Sequence, residues 1–162
     1  MATLDRVQID IVFRDVIEAD LAHLDWTGGP AHQLYLATTL DATYAGDVDL
    51  VCGEAGGWRL VACGGVDFRT WPDAGRLWML IVDDAWRHLG VGTGLVKALE
   101  ARILQRGLGL ARLHVEHDNP EAHRLYEDLG YAPIAETTDS WPNDDGSLAI
   151  APVTLMEHAL RS

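Results

Sequence analysis

Residues 82–96 read VDDAWRHLGVGTGLV, with glycine at positions 90, 92 and 94 where a helical pattern begins. Glycine weakens a helix by roughly 0.5–1 kcal/mol relative to alanine, so three in alternation need a compensating use. The helix itself is legible in Leu95, Val96, Leu99 and Ile103, which recur at three- and four-residue steps and predict a long amphipathic helix ending near Gly107. Ahead of it, RLWMLIV (76–82) is apolar on both alternating faces, with Leu77, Met79 and Ile81 on one and Trp78, Leu80 and Val82 on the other. That is the pattern of a central strand covered on both sides. A glycine-rich turn between such a strand and a helix leaves backbone N–H groups unpaired at the positive end of the helix dipole, and together they bind phosphate.

Outward from this unit the periodicity alternates. VQIDIVFR (7–14) reads as a half-buried strand, DVIEADLAHLDW (15–26) as a helix, and GGPAHQLYLATTL (28–40) as a weaker helix behind a Gly-Gly-Pro boundary. Residues 49–69, DLVCGEAGGWRLVACGGVDFR, read as two strands joined by a tight turn at Ala55-Gly56-Gly57. ARLHVEH (111–117) is a further strand. NPEAHRLYEDLG (119–130) is a helix with Asn119 as cap, Pro120 in the first turn and Gly130 at its end. YAPIAET (131–137) and VTLMEHAL (153–160) are strands, with TDSWPNDDGS (138–147) as a polar loop between them. About seven strands and four helices in this order predict an α/β (α+β) fold, a mixed sheet with helices on both faces.

The 162 residues are expected to form a single domain over 1–162. A composition 48% hydrophobic and 23% charged is that of an ordinary globular protein. Twelve Lys and Arg against twenty-five Asp and Glu, net −13, argue against a nucleic-acid partner. Cys52 and Cys63 are too far apart for a CxxC pair or a zinc knuckle, and the seven histidines include no HxH or HxxxH pair, so no metal is expected. The N-terminus MATLDRVQID lacks the apolar stretch of a signal peptide, and no run suits a membrane span; the expected location is the cytoplasm.

Three phosphate-binding patterns compete for residues 87–94. A Walker loop needs a Gly-Lys pair that this stretch lacks, and GxGxxG fails in both registers, because Leu95 or Lys97 stands where the third glycine belongs. The remaining pattern, Arg87-x-x-Gly90-x-Gly92 after an apolar strand, resembles the pyrophosphate-binding motif [RQ]xxGx[GA] of the GNAT acetyltransferase superfamily. NPEAHRLYEDLGY (119–131) is similar to that family's second motif, an Asn-initiated helix carrying Leu-Tyr-Glu and Gly-aromatic. The two motifs together span residues 77–131. The resemblance implies the acyl-CoA N-acyltransferase fold, with the sheet splayed between its fourth and fifth strands by a bulge. It implies acetyl-CoA as cosubstrate, its pyrophosphate on the N–H groups of residues 88–93, among them Leu89, Val91 and Thr93, with Gly94 in the same loop. Arg87 and His88 would line the entrance, and the pantetheine arm would pair with main chain at Ile81 and Val82 and touch Asn119.

The reaction so implied is direct attack of an amine on the thioester, which needs a proton donor for the thiolate and an acceptor for the amine's proton. Tyr126 matches the family's general acid; its other reading is a core aromatic beside Ala122, Leu125 and Leu129. Arg76 stands where many members carry a glutamate base, and a cation cannot take that proton. Asp67, Glu116 and Glu157 are the substitutes by position. The acceptor, a primary amine of a small molecule or peptide, is expected near LDWTGGPAHQLY and TDSWPNDDGS, where Asp139, Asp144 and Asp145 suit a cation. A catalytically silent acyl-CoA-binding module is the alternative, transfer to a hydroxyl or a protein N-terminus stays open, and the resemblance also allows a homodimer.

Overall fold

The structure, a computed structural model, describes residues 8–160. The expected domain limits at 1 and 162, and the start of the first strand at Val7, lie outside the described residues. Seven strands form one sheet in the order β1-β2-β3-β4-β5-β7-β6. They are β1 (Ile11–Asp15), β2 (Val48–Ala55), β3 (Arg59–Asp67), β4 (Ala74–Val82), β5 (Leu110–Glu116), β6 (Ala132–Pro142) and β7 (Leu148–Ala159). Every neighbouring pair is antiparallel except β4 with β5. The helices are α1 (Pro30–Tyr44), α2 (Val91–Gln105) and α3 (Pro120–Asp128).

The core has one layer on each side of the sheet. Leu95, Val96, Leu99 and Ile103 of α2 pack on Val61, Val66 and Leu77, with Tyr126 and Leu129 from the region of α3 at the margin. Leu36 and Leu40 of α1 pack with Leu50, Cys52 and Cys63 on the other face. The alternation along β5 sorts its residues between them: Ala111, Leu113 and Val115 go to the α2 layer, leaving Arg112, His114 and Glu116 on the α1 face. The C-terminus of α2 ends as the glycine pattern predicts. Gly107 adopts φ +80°, and the N–H groups of Gly107 and Leu108 donate to the carbonyls of Leu104 and Ile103.

Four expectations change. The predicted helix over 15–26 forms instead as two 3-10 segments, Glu18–His23 and Asp25–Thr27. The buried Asp20 carboxylate takes the Arg14 guanidinium at 2.7 and 2.9 Å and the Ile17 N–H at 2.8 Å, which ties the segment to the end of β1. The Leu24 carbonyl is then filled by Thr27 N–H, Thr27 Oγ1 and Gln33 Nε2, none of them from an α-helical i+4 partner.

The polar segment 138–147 is not a loop throughout. Residues Thr138–Pro142 continue β6 and pair with Leu148–Pro152 of β7, leaving a short turn at 143–147. Polar side chains are no obstacle there, because that half of the hairpin is largely exposed.

β4 is covered on both sides only at its start, since residues from Trp78 to Val82 are half-buried. It pairs with β5 at three positions, Ala74–Leu110, Gly75–Ala111 and Arg76–Arg112, and then the strands part. The splay is therefore where the resemblance implies, but the bulge lies on the opposite edge of β4. There the register with β3 shifts between Cys63 and Gly65, and Met79 adopts φ +57°.

Leu99 is fully buried in the α2 layer. Leu99→Ala is expected to lower unfolding free energy by about 2–5 kcal/mol, read from urea denaturation; a smaller change would mean that the layer repacks.

Candidate functional site

The loop after β4 is a short 3-10 turn, Asp84–Trp86, capped by the Asp83 carboxylate on the Ala85 N–H at 3.1 Å. The Asp83 carboxylate is itself held by Arg59 at 3.0 Å. His88 (φ +62°) and Gly90 (φ +84°) then turn the chain into α2 through two left-handed residues. Gly90 is the residue type that takes this conformation without strain. The first helical N–H with a partner is that of Gly94, which donates to the Gly90 carbonyl at 3.1 Å. The N–H groups from His88 to Thr93 donate to no carbonyl or side chain among the described residues.

This row faces a groove of about 790 Å³ between the N-terminus of α2, the end of β4 and α3. Val82, Arg87, His88, Gly90, Gly92 and Thr93 line one wall, and Asn119 and Tyr126 stand on the other. Gly92 keeps the groove open: a Cβ built there would meet only Leu125 at 3.7 Å and Val82 at 3.8 Å. The rest of the expected set divides. For the residues expected to act through main chain, the side chains lie elsewhere: Val91 is buried in the core, Leu89 is exposed, and Ile81, opposite Cys63 of β3, does not line the groove. Gly94 makes room for packing, not for a ligand, because a Cβ there would lie 2.8 Å from the Phe13 ring and its N–H is already used.

Arg87 sits 3.2 Å from Asp84, and His88 approaches Glu121 at 3.7 Å, both exposed. Arg124 of α3 also lines the groove, a cation that sequence reasoning missed. Its signal was available: Arg124 lies two residues before Tyr126 within the second motif. Asn119 caps α3 through its side-chain oxygen, which accepts the Ala122 N–H at 3.1 Å.

Tyr126 combines both of its predicted readings. One side of its ring packs against the core, edge-on to Tyr131 with centroids 5.9 Å apart, while the residue borders the groove. Its hydroxyl has no hydrogen-bond partner among the described residues. Burial pushes its pKa up to about 12, which keeps it a protonated donor at neutral pH. Tyr131 behind it is tied down, its hydroxyl donating to Glu100 at 2.8 Å, with His158 on the same carboxylate at 3.0 Å.

The three carboxylates considered as bases differ in their partners. Asp67 is clasped by Arg69 through Nε and Nη2 at 3.0 Å each and through the backbone N–H at 2.9 Å. Burial alone would raise Asp67, but Arg69 outweighs it and holds the carboxyl below its usual range, which makes it a poor proton acceptor. Glu157 is bound by Arg112 Nε at 2.7 Å. Glu116 has no cationic partner among the described residues, and burial, then Asp118 and Asp139, raise it.

The loop acids proposed to receive a cation are also engaged. Asp139 accepts from Arg76 at 3.0 Å, Asp144 accepts the Ala31 N–H at the start of α1 at 2.8 Å, and Asp145 accepts from Ser147. The structure adds His114, which no motif singled out: its Nδ1 lies 3.3 Å from the same Asp139 oxygen.

A family model described as the acetyltransferase (GNAT) family matches residues 19–131. A mycothiol acetyltransferase of Nocardiopsis dassonvillei is 32% identical over 75 residues, 46% of this chain and 23% of that protein. A ribosomal-protein alanine N-acetyltransferase of Haemophilus ducreyi is 32% identical over 79 residues, 49% of this chain and 54% of that protein. The matched region thus spans about a quarter of one curated relative and about half of the other. Among solved structures, a chimeric spermidine N-acetyltransferase from Vibrio cholerae has TM-score 0.72 at 16% identity, over 93% of this chain and 95% of its own. An N-acetyltransferase of Thermoplasma acidophilum, solved in complex with coenzyme A, has TM-score 0.69 at 16% identity, over 93% and 99%.

Gly94→Ala should lower stability by about 1–3 kcal/mol because its Cβ would lie 2.8 Å from the Phe13 ring edge and the ring must shift. Phe13→Leu in the same chain should recover part of that loss in thermal melts, and an unchanged melt for Gly94→Ala would return Gly94 to the loop's ligand-facing set.

Proposed function

The chain belongs to the acetyltransferase (GNAT) family, and from that premise we propose that it transfers the acetyl group of acetyl-CoA to a primary amine of a small molecule or peptide. The observation that carries this reading is the row of N–H groups from His88 to Thr93, unpaired among the described residues, opening on a groove lined by Leu80 and Val82 at the end of β4, where that strand has parted from β5. Oriented amides at a helix start bind pyrophosphate, and Arg87 and Arg124 add positive charge on a chain of net −13. Beyond Arg76 the β5-facing edge of β4 has no strand partner among the described residues, so its main-chain groups near Ile81 and Val82 suit the amides of a pantetheine arm. Asn119 spends its oxygen on the cap and keeps its NH2 for the same arm.

Tyr126 supplies the donor for the leaving thiolate. Complete transfer from a phenol held at about 12 to a thiolate near ~8.5 is uphill by about 5 kcal/mol. A hydrogen bond that strengthens as the C–S bond breaks is therefore its larger contribution, and the dry site that raises the phenol raises the thiol with it. A silent acyl-CoA-binding module would bind the same cosubstrate without turnover, so binding and turnover are measured separately.

Gly92→Leu should fold normally, its side chain entering the groove, yet weaken acetyl-CoA binding at least tenfold by calorimetry; retained affinity would refute the cradle. Tyr126→Phe should lower kcat by about 10²-fold with acetyl-CoA affinity within about threefold. Parallel losses in both would make Tyr126 a packing residue.

A further inference from the structure

The α1 face of the β4–β5 gap holds a side-chain cluster that the roles above leave unused. Arg76 of β4 donates through Nη2 to Asp139 Oδ2 at 3.0 Å, and His114 of β5 places Nδ1 3.3 Å from that same oxygen. Arg76 and Arg112 form the last rung between the two strands, and His114 follows two residues later on the same face. It stands where β4 has left and the sheet is open. Its side chain is only 16% exposed. The charged groups around it are Arg76 from β4, Asp139 from β6, and Arg112 and Glu116 on its own strand. Arg112 is already bound by Glu157 of β7 and by Asp73, and the β7 residue opposite His114 is the apolar Leu155.

His114 Nδ1 also lies 3.3 Å from Arg76 Nη2, so the ring nitrogen faces one group that only donates and one that only accepts. Arg76 reaches Asp139 through Nη2, and its Nε is buried without a partner among the described residues. Arg76 Nη2 carries two hydrogens, one of which Asp139 takes; in the tautomer that matches the carboxylate, Nδ1 gives its hydrogen to the remaining lone pair of Asp139 Oδ2. That leaves the lone pair of Nε2 free.

We propose that His114, oriented by Asp139 and Arg76, is the group that takes the proton from the acceptor's ammonium, a role that rests on the acetyl-transfer reading. Nε2 accepts one proton from R–NH3+, and the freed lone pair forms the N–C bond to the thioester carbonyl. The C–S bond breaks, and the thiolate takes the Tyr126 hydroxyl proton. The second proton lost by the new amide nitrogen restores Tyr126 through solvent, and the imidazolium releases its own to solvent, so one proton leaves per turnover. An imidazole suits this step better than a carboxylate, because its ordinary titration range lies near neutral pH. Arg76 then does not replace the missing glutamate; it is a positioning residue that holds the carboxylate delivered by the β6–β7 hairpin.

Long-range ¹⁵N–¹H spectra of the imidazoles test the arrangement without any acceptor. His114 should carry hydrogen on Nδ1 in the wild-type protein and lose that preference in Asp139→Ala, which removes the acceptor; an Nε2–H tautomer in the wild type overturns the proposal. With acetyl-CoA and spermidine or an alanyl peptide as acceptor, His114→Gln should lower kcat by about 10²-fold and abolish the acidic limb of the kcat/KM profile, with acetyl-CoA affinity and thermal melt unchanged. Asp139→Asn should lower kcat by about tenfold. An acidic limb that survives in His114→Gln but vanishes in Glu116→Gln would assign the base to Glu116 and overturn the proposal. Wild-type protein that binds acetyl-CoA but acetylates no amine would instead overturn the acetyl-transfer reading, while the tautomer spectra still decide the geometry of His114.

Discussion

The parting of β4 from β5 is the constraint on which the rest of this structure depends. Three rungs, Ala74 to Arg76 against Leu110 to Arg112, join the two halves of the sheet, and beyond them the strands diverge. Unpaired backbone in the middle of a sheet is unfavourable unless another partner takes its place. β4 stays attached to β3 through the bulge at Met79, and β5 stays attached to β7 along its full length. The gap thus lies between two intact antiparallel blocks, with the groove on the α2 and α3 face and the Arg76–His114–Asp139 cluster on the α1 face.

Charge is distributed around that gap by pairing. Asp67, Asp139 and Glu157 each lie beside an arginine, on Arg69, Arg76 and Arg112 respectively. A half-buried carboxylate keeps its charge most readily beside a cation, and once paired it is a weaker proton acceptor. Glu116 is left without such a partner among the described residues, and His114 is left with a carboxylate behind it. In the groove the charges balance: Arg87 and Arg124 stand with Glu121 and Asp128 around amides that are unpaired among the described residues, in a chain whose overall charge is strongly negative.

Several features were legible because they depend on short-range patterns. The α2 stripe of Leu95, Val96, Leu99 and Ile103 buries as its spacing predicts, Asn119 caps α3, and the Gly56-Gly57 turn joins β2 to β3 with both glycines at positive φ. The 3-10 segments over 18–27 were not legible, because Asp20 is drawn to Arg14 on a neighbouring strand and the local helical spacing of Leu21 and Leu24 says nothing of that pairing. The extension of β6 into the polar stretch Thr138–Pro142 was hidden for a related reason: its strand character comes from backbone pairing with β7, not from its side chains.

The amino-acid sequence by itself determined the order of elements, the glycine-rich entry to α2 and the family, because each is written in residues close together along the chain. The tertiary structure alone decided which glycine opens the groove and which one seats Phe13, since neighbours distant in sequence distinguish Gly92 from Gly94. It decided in the same way which carboxylates are already paired and that His114 stands beside Asp139. Those distinctions are differences in solvation and partner, and where the partners stand far apart along the chain, as His114 and Asp139 do at 25 positions, only the folded chain sets them.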